Sequence, residues 1–382
     1  MSKTCRYKEY CGGCQLQGMS YSKQLAFKQE KIEKLLAKFH KVNPIIGMAN
    51  PFNYRNKIQV SFCYDEKHKV VCGNYIPSTH IIVPIEECMI ADEYSLEIIK
   101  TIKELIIKYT ISLFDEVALK GGIRHVQIRC TNTNEYMVII VSGTNTIYKI
   151  DSLIKDLLRK HKEIKTIVQN INRKHTSMVL GDKNIVLFGK GYISDILCGL
   201  KFNLSPSSFY QVNKRQTEVL YSTALEKANI SNKDIVIDAY SGIGTISLIL
   251  AKKSKEVLAV ELNKQATRDA IRNAKINDIH NVTFIGDDAG SFMKKLAKQR
   301  KQIDVVCMDP PRTGADDKFL QALCTLKPKK IIYISCGPES LRNNLKYLTR
   351  NNYSIEFIQP VDMFPLTSHV ECVVSMRRKD NK

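Results

Sequence analysis

Three residues stand where a sheet would let them act together. Ile331 to Ser335 reads as a buried strand, and Cys336-Gly337-Pro338 follows it at once. A cysteine at the carboxyl end of a strand faces the crevice of an open α/β sheet, and the Gly-Pro turn stops a helix from covering it. Asp309-Pro310-Pro311-Arg312 closes another apolar run, and Glu371 lies within Ser368-His369-Val370-Glu371-Cys372. A thiolate with carboxylates near it suits covalent catalysis on a ring carbon. C5 of uracil is a poor nucleophile, but thiolate addition at C6 turns it into an enolate carbon able to accept a methyl group. A base then removes the C5 proton, and elimination frees the thiol. On this reading Cys336 is the nucleophile and Glu371 the base. Asp362-Met363-Phe364-Pro365 offers a second carboxylate and an aromatic ring for base stacking. Weighed against this, most cysteines are inert core residues, as Cys307 and Cys324 are expected to be, and an isolated Glu371 fits a strand-edge surface carboxylate better than a base.

A methyl donor needs its own site. Asp238-Ala239-Tyr240-Ser241-Gly242-Ile243-Gly244-Thr245 follows a β-branched run and precedes a helical one. Glycines at such a turn let a ligand approach the backbone closely. Glu261 closes the next run, about 20 residues beyond Gly242, the spacing at which an acid meets ribose hydroxyls. A dinucleotide fingerprint wants a third glycine, and Ser247 stands there instead. The methionine end of S-adenosylmethionine requires no pyrophosphate cradle, so the shortened pattern favours it over a nicotinamide cofactor. Asp288, just past the third run, is placed for the adenine amino group, although one Asp there also suits a helix cap. Asp309 completes a set of acids at successive strand ends.

The elements that must hold these residues are legible as rhythm. Short β-branched runs at Ile235–Ile237, Val257–Glu261, Val282–Ile285, Ile303–Met308, Ile331–Ser335, Ile355–Pro360 and Val370–Val374 mostly alternate with helical segments. That predicts βαβ units and an α/β class: a Rossmann-like seven-stranded methyltransferase domain, ending in a hairpin, over residues 200–382. Before it, a helix from Tyr21 to about Phe39, another from Asp92 to Leu113, and alternating runs at Ile58–Phe62, Val126–Arg129 and Tyr136–Val141 predict an α+β region with antiparallel strands. Residues 1–92 are expected to be a cysteine-cluster and RNA-docking region, and 93–199 a central α+β domain.

The partner class follows from charge. The chain of 382 residues carries 58 Lys+Arg against 38 Asp+Glu, a formal net charge of +20. Such a field draws polyanions, which points to RNA over the alternative of lysines that only aid solubility. No run approaches the roughly 20 apolar residues of a membrane span, and the first residues lack the apolar core of a secretory signal. A cytoplasmic monomer with no membrane partner is expected, so the 12 cysteines should be thiols, metal ligands or nucleophiles.

Taken together, Cys336-Gly337-Pro338, Asp309-Pro310-Pro311-Arg312, Ser208-Phe209-Tyr210-Gln211-Val212-Asn213 and the stretch from Asp362 to Glu371 resemble the RNA 5-methyluridine methyltransferases, along nearly the whole chain. The resemblance implies that Cys336 is the nucleophile, that Glu371 is the base, and that Gln211, Tyr240, Gly242, Thr245, Glu261, Asp288 and Asp309 bind S-adenosylmethionine. It implies 23S ribosomal RNA as the substrate, with tRNA uridine-C5 methylation, or RNA binding by a fold retained without catalysis, as the alternatives. RNA cytosine-C5 methyltransferases usually carry a cysteine where Arg312 stands, and adenine-N6 enzymes an aromatic, so uridine is favoured. Cys5, Cys11, Cys14 and Cys88 look like the four thiolates that hold a 4Fe-4S cluster in this family, though four thiolates also suit zinc. Cys63 and Cys72 compete for the fourth place. Tyr54-Arg55-Asn56-Lys57 resembles an RNA-contact motif. Many members begin with a small β-barrel RNA-binding domain, whereas this sequence opens at the cysteines, so the basic central region is expected to take over part of the RNA grip.

Overall fold

The computed structural model describes residues 4–79, 81–176 and 178–379. They form two compact units, not the three regions expected. One takes in the chain up to Gly18 with Pro51–Ile196 and Asn203–Ser207; the other takes in Met19–Asn50, Leu197–Phe202 and the chain from Ser208.

The first unit is built on one sheet of seven strands: β1 (Lys57–Tyr64), β2 (Val70–Tyr75), β3 (Ile82–Pro84), β4 (Ile123–Cys130), β5 (Tyr136–Ser142), β6 (Ile164–Ile171) and β7 (Lys183–Gly189). The order is β3-β2-β1-β4-β5-β6-β7. Only β5 and β6 run parallel, and the helix Ile150–Lys160 makes that crossover. The sheet explains why no boundary falls at residue 92. β1 pairs with β2 on one side and with β4 on the other, so the backbone ladder runs straight through the expected division. Alternation sorts the two faces. Val60, Phe62, Val126, Ile128, Val138 and Ile140 pack with Ile98, Ile102 and Leu105 of the helix Glu93–Lys108. The other face carries Gln59 opposite Gln127 and Ser61 opposite His125.

A two-stranded sheet, β8 (Ile193–Leu197) and β9 (Leu200–Leu204), carries the chain onward. The second unit then lays down β10 (Ile235–Ala239), β11 (Glu256–Glu261), β12 (Val282–Gly286), β13 (Val305–Met308), β14 (Lys330–Ser335), β15 (Tyr353–Val361) and β16 (Glu371–Arg378). Their order is β12-β11-β10-β13-β14-β16-β15. The first five are parallel, and β16 inserts antiparallel between β14 and β15. This is the Rossmann-like sheet with a terminal hairpin that the apolar runs predict. Ile237, Ala239, Val306, Met308, Ile331 and Tyr333 form its core with Phe319, Leu341 and Leu345. Side-chain caps start the helices that return the chain, with Asn263 accepting from Ala266 N at 3.1 Å and Asp316 from Phe319 N at 2.7 Å. The early helix Tyr21–Leu36 belongs to this unit too, its buried stripe being Gln24, Lys28, Ile32 and Leu36.

Candidate active site

In a sheet of this kind the strand order reverses between β10 and β13, and ligands gather at the carboxyl ends of those strands. The turn after β10 is tight. Tyr240, Gly242 and Gly244 all have positive φ, at 69°, 55° and 85°. A side chain on Gly244 would also press Ala270 Cβ and the Phe284 ring, both at 3.2 Å, so backbone and packing agree on glycine. The third-glycine position is spoken for differently: the Ser247 hydroxyl donates to Asp238 Oδ2 at 2.5 Å in the core. The second oxygen, Asp238 Oδ1, is buried without a partner among the described residues, and burial pushes this carboxyl up to about 7.

Glu261 ties two loops together. Gly242 N donates to its Oε2 at 2.9 Å and Asn263 N to its Oε1 at 2.7 Å, which fixes the carboxylate at the end of β11 beside the glycine turn. Asp288 caps the helix Ala289–Lys298, its Oδ1 accepting from Ser291 N, Ser291 Oγ and Lys318 Nζ; these bonds hold its carboxyl below the usual range. The Tyr240 hydroxyl lies within electrostatic reach of Asp288, and its ring sits 5.6 Å from that of Phe319. Thr245 opens its helix and donates to the buried Tyr221 hydroxyl, which in turn feels Asp309 and Glu371. Gln211 is buried on the approach to the helix Lys214–Ala228.

The register of the last hairpin brings the three reactive groups together. Ser335 of β14 lies opposite Cys372 of β16, so Cys336 and Glu371 are neighbours across the sheet end. Glu371 is buried, and its Oε2 has no hydrogen-bond partner among the described residues. Burial and the nearby Asp309 carboxyl hold Glu371 well above the ordinary range, and burial raises Asp309 likewise. The Cys336 thiol is pushed up to about 11 by burial, then by Glu371 and Asp309, with Arg312 pulling the other way. Gly337 is needed here for space, because a Cβ would come within 2.4 Å of Arg312 O. Ser340 Oγ donates to that same carbonyl at 2.8 Å, locking the loop after β13 to the loop after β14.

Sequence reading missed part of this constellation. Arg312 Nη2 meets His369 Nδ1 at 3.1 Å, and the His369 ring packs edge-on to Phe364. Asp362, the second carboxylate that the sequence offers, has another place. It is fully buried, with Lys28 Nζ at 2.5 Å from Oδ1 and the Tyr21 hydroxyl donating to Oδ2 at 2.8 Å. Lys28 Nζ also donates to Phe364 O at 3.0 Å. An ion pair this deep holds a loop and performs no proton transfer. Its signal was present: Lys28 falls on the four-residue stripe with Ile32 and Leu36. Lys28→Met strands a charge in the core and should cost about 3–5 kcal/mol, read by urea unfolding, whereas Lys28→Met with Asp362→Leu should recover most of that loss.

In the first unit, Cys5, Cys11, Cys14 and Cys88 are all half-buried. Burial pushes the Cys14 thiol up to about 11, and the thiols of Cys88, Cys11 and Cys5 act in the same direction. Burial raises the Cys72 thiol to about 11; Lys103 acts against that shift, and Cys63 and Glu86 add to it. Backbone N–H groups of Ile90 and Ala91 donate to the Cys88 sulfur, and Asn74 Nδ2 donates to Cys11 Sγ at 3.6 Å. The donor chemistry fits a thiophilic metal or cluster. Among the described residues, however, no three His, Cys, Asp or Glu are gathered closely enough to hold a metal ion. No helix among them is long and apolar enough to cross a membrane.

A parallel sheet with acids at successive strand ends and a glycine turn at its switch point defines the Rossmann-like methyltransferase class. The tRNA (uracil-5-)-methyltransferase family model matches residues 20–379, so the chain belongs to that family and is an RNA (uracil-C5)-methyltransferase. It is 42% identical over 377 residues to an uncharacterised RNA methyltransferase of Oceanobacillus iheyensis, covering 97% of this chain and 82% of that protein. It is also 42% identical to one of Caldanaerobacter subterraneus, covering 98% and 84%. The Pyrococcus abyssi tRNA (uracil-54, C5)-methyltransferase, solved in complex with S-adenosyl-L-homocysteine, superposes with a TM-score of 0.78 at 27% identity, over 96% of this chain and 86% of that one.

Proposed function

We propose that this protein transfers a methyl group from S-adenosylmethionine to C5 of a uridine in RNA through a Cys336–C6 adduct. The observation that carries the reading is the junction of Cys336 with Glu371 and Asp309 at the end of β14, beside the glycine turn. S-adenosylmethionine supplies an electrophilic methyl and a positive charge, and the acidic rim of Glu261, Asp288 and Asp309 with Gln211, Tyr240, Gly242 and Thr245 is suited to hold it. Cys336 rests as a thiol, because burial, and after it the neighbouring Glu371 and Asp309, disfavour its charged form. Its proton passes to a neighbouring carboxylate, and the thiolate adds to C6. C5 then takes the methyl group, leaving S-adenosylhomocysteine. Glu371 accepts the C5 proton through the oxygen that has no partner among the described residues. The C6–S bond breaks, the expelled thiolate recovering its proton from the carboxylate that first took it. The target nucleotide must leave its stack to offer both ring carbons.

Ribosomal RNA is the substrate proposed. Transfer RNA is the second reading, favoured by the family description and by the substrate of the archaeal neighbour. Cys5, Cys11, Cys14 and Cys88 are proposed to hold a 4Fe-4S cluster with a structural role, since methyl transfer moves no net electrons; their mutual influence on the Cys14 thiol supports the grouping. The decisive experiment incubates the protein and cofactor with ribosomal or transfer RNA in which uridines carry fluorine at C5. Fluorine cannot be removed as a proton, so a denaturation-resistant protein–RNA adduct should form, be absent in Cys336→Ala, and name the target on sequencing. Absence of adduct with both RNAs, while cofactor binds, would sink the uridine mechanism.

A further inference from the structure

A second polar site lies wholly within the first unit. On the sheet face opposite its apolar core, a cavity of about 640 Å³ is lined by Gln59 and Ser61 of β1, Tyr75 of β2, Arg124 and His125 of β4, and Glu116. A pleated face that another layer covers is normally apolar. This one instead bears edge-type hydrogen-bonding groups. His125 is only 5% exposed; its Nδ1 lies 2.9 Å from Ser61 Oγ, and Ser61 reaches on to the Tyr75 hydroxyl. Its Nε2 has no partner among the described residues, and neither does the Gln59 side-chain amide. Arg124 is paired with Glu116, whose two oxygens lie 2.6 Å from Arg124 Nε and Nη2.

That lining decides the ligand class. With Arg124 spent on Glu116, no lysine or second arginine among the described residues lines the cavity for a phosphate, and burial keeps His125 uncharged, lowering it to about 3. What remains among the described residues is an amide, two imidazoles, His125 and His175, and an aromatic ring, around a cavity of a size ordinary for a small-molecule site. A flat, uncharged ring with donors and acceptors along its edge is the match. Unstacked nucleobases are recognised by stacking and edge hydrogen bonds of this kind. A net charge of +20 brings the polyanion that carries them.

We propose that the cavity formed by Gln59, Ser61, Tyr75 and His125 holds a second, unstacked nucleobase of the RNA substrate, separate from the uridine that is methylated. The site fixes which RNA is held, through one base beyond the target. The inference rests on RNA being the substrate, but not on the methyl-transfer chemistry.

The test reads binding without S-adenosylmethionine, so that it stands apart from catalysis. Ribosomal and transfer RNA transcripts with single abasic positions are titrated against the wild-type protein and Gln59→Ala by filter binding. Gln59 is half-buried and has no side-chain bond to lose, so the variant should fold. In the wild type, one abasic position away from the methylated uridine should weaken binding about tenfold; in Gln59→Ala that penalty should shrink to below about twofold while the salt dependence, set by phosphate contacts, is unchanged. Ultraviolet cross-linking of 4-thiouridine- or 6-thioguanosine-substituted transcripts should label peptides of β1 or β2. Equal abasic penalties in both proteins at every position, or cross-links that avoid β1 and β2, would overturn the proposal. Methylation failing while the abasic effect persists would leave this site standing and discard the catalytic reading instead.

Discussion

Cys336→Ser should bind RNA and S-adenosylmethionine as the wild type does, yet lose methyl transfer by at least about 10⁴-fold under single-turnover conditions. The expectation follows from what C5 lacks. No group in the site makes that carbon nucleophilic directly; only addition at C6 does, and an alcohol beside Glu371 and Asp309 is a far poorer nucleophile than the thiol it replaces. Cys336 is half-buried at the turn and is not one of the residues that build the sheet's core, so the change exchanges one sulfur for an oxygen and removes little packing. Thermal unfolding should therefore move by less than a few degrees, which separates lost chemistry from lost structure. The measurement is single-turnover incorporation of labelled methyl into RNA, with affinity for RNA measured on the same sample. A Ser variant within tenfold of wild type would mean that Cys336 is a bystander, and a covalent route would need another residue.

How far the sequence led depends on the range of the interaction. The parallel sheet was legible because buried strands read as apolar runs whatever their neighbours. Cys336, Asp309 and Glu261 were legible as strand-end residues for the same reason. Register was not. Cys336 meets Glu371 because β16 threads between β14 and β15 with Ser335 opposite Cys372, and nothing local in either segment encodes that pairing. The division at residue 92 failed similarly: β1 finds β4 across an intervening helix, a long-range pairing hidden from composition. The place of Asp362 was not legible because its partner lies 334 positions away at Lys28. Ser247, by contrast, looked like a defect in a glycine pattern, and the structure gives it a positive role in holding Asp238.

Glu371→Gln separates the methyl-transfer step from the release step. Methyl transfer precedes loss of the C5 proton, so a variant without the base should form the adduct, methylate it, and then stall. Turnover should fall by about 10²–10⁴-fold, and with ordinary uridine RNA the protein should accumulate as a denaturation-resistant complex carrying the methyl group. Wild-type protein should show that complex only with 5-fluorouridine. The pH behaviour gives a second handle. Glu371 is raised well above the ordinary carboxyl range by burial and by Asp309, so kcat/KM should climb with pH through neutrality as the pair gives up protons, and the limb should shift in the variant. Folding responds in the opposite sense. An unfolded glutamate releases its proton near about 4.3, while the folded one keeps it, so above that pH the native state binds more protons and stability falls as pH rises. The slope is at most about 1.4 kcal/mol per pH unit for each proton held. Glu371→Gln removes one such proton and leaves a neutral group in a neutral pocket; its urea-unfolding free energy should therefore lose less than wild type between pH 5 and neutrality, taken as roughly pH 7. Free turnover with no trapped complex, or an unchanged pH dependence of stability, would place the base elsewhere.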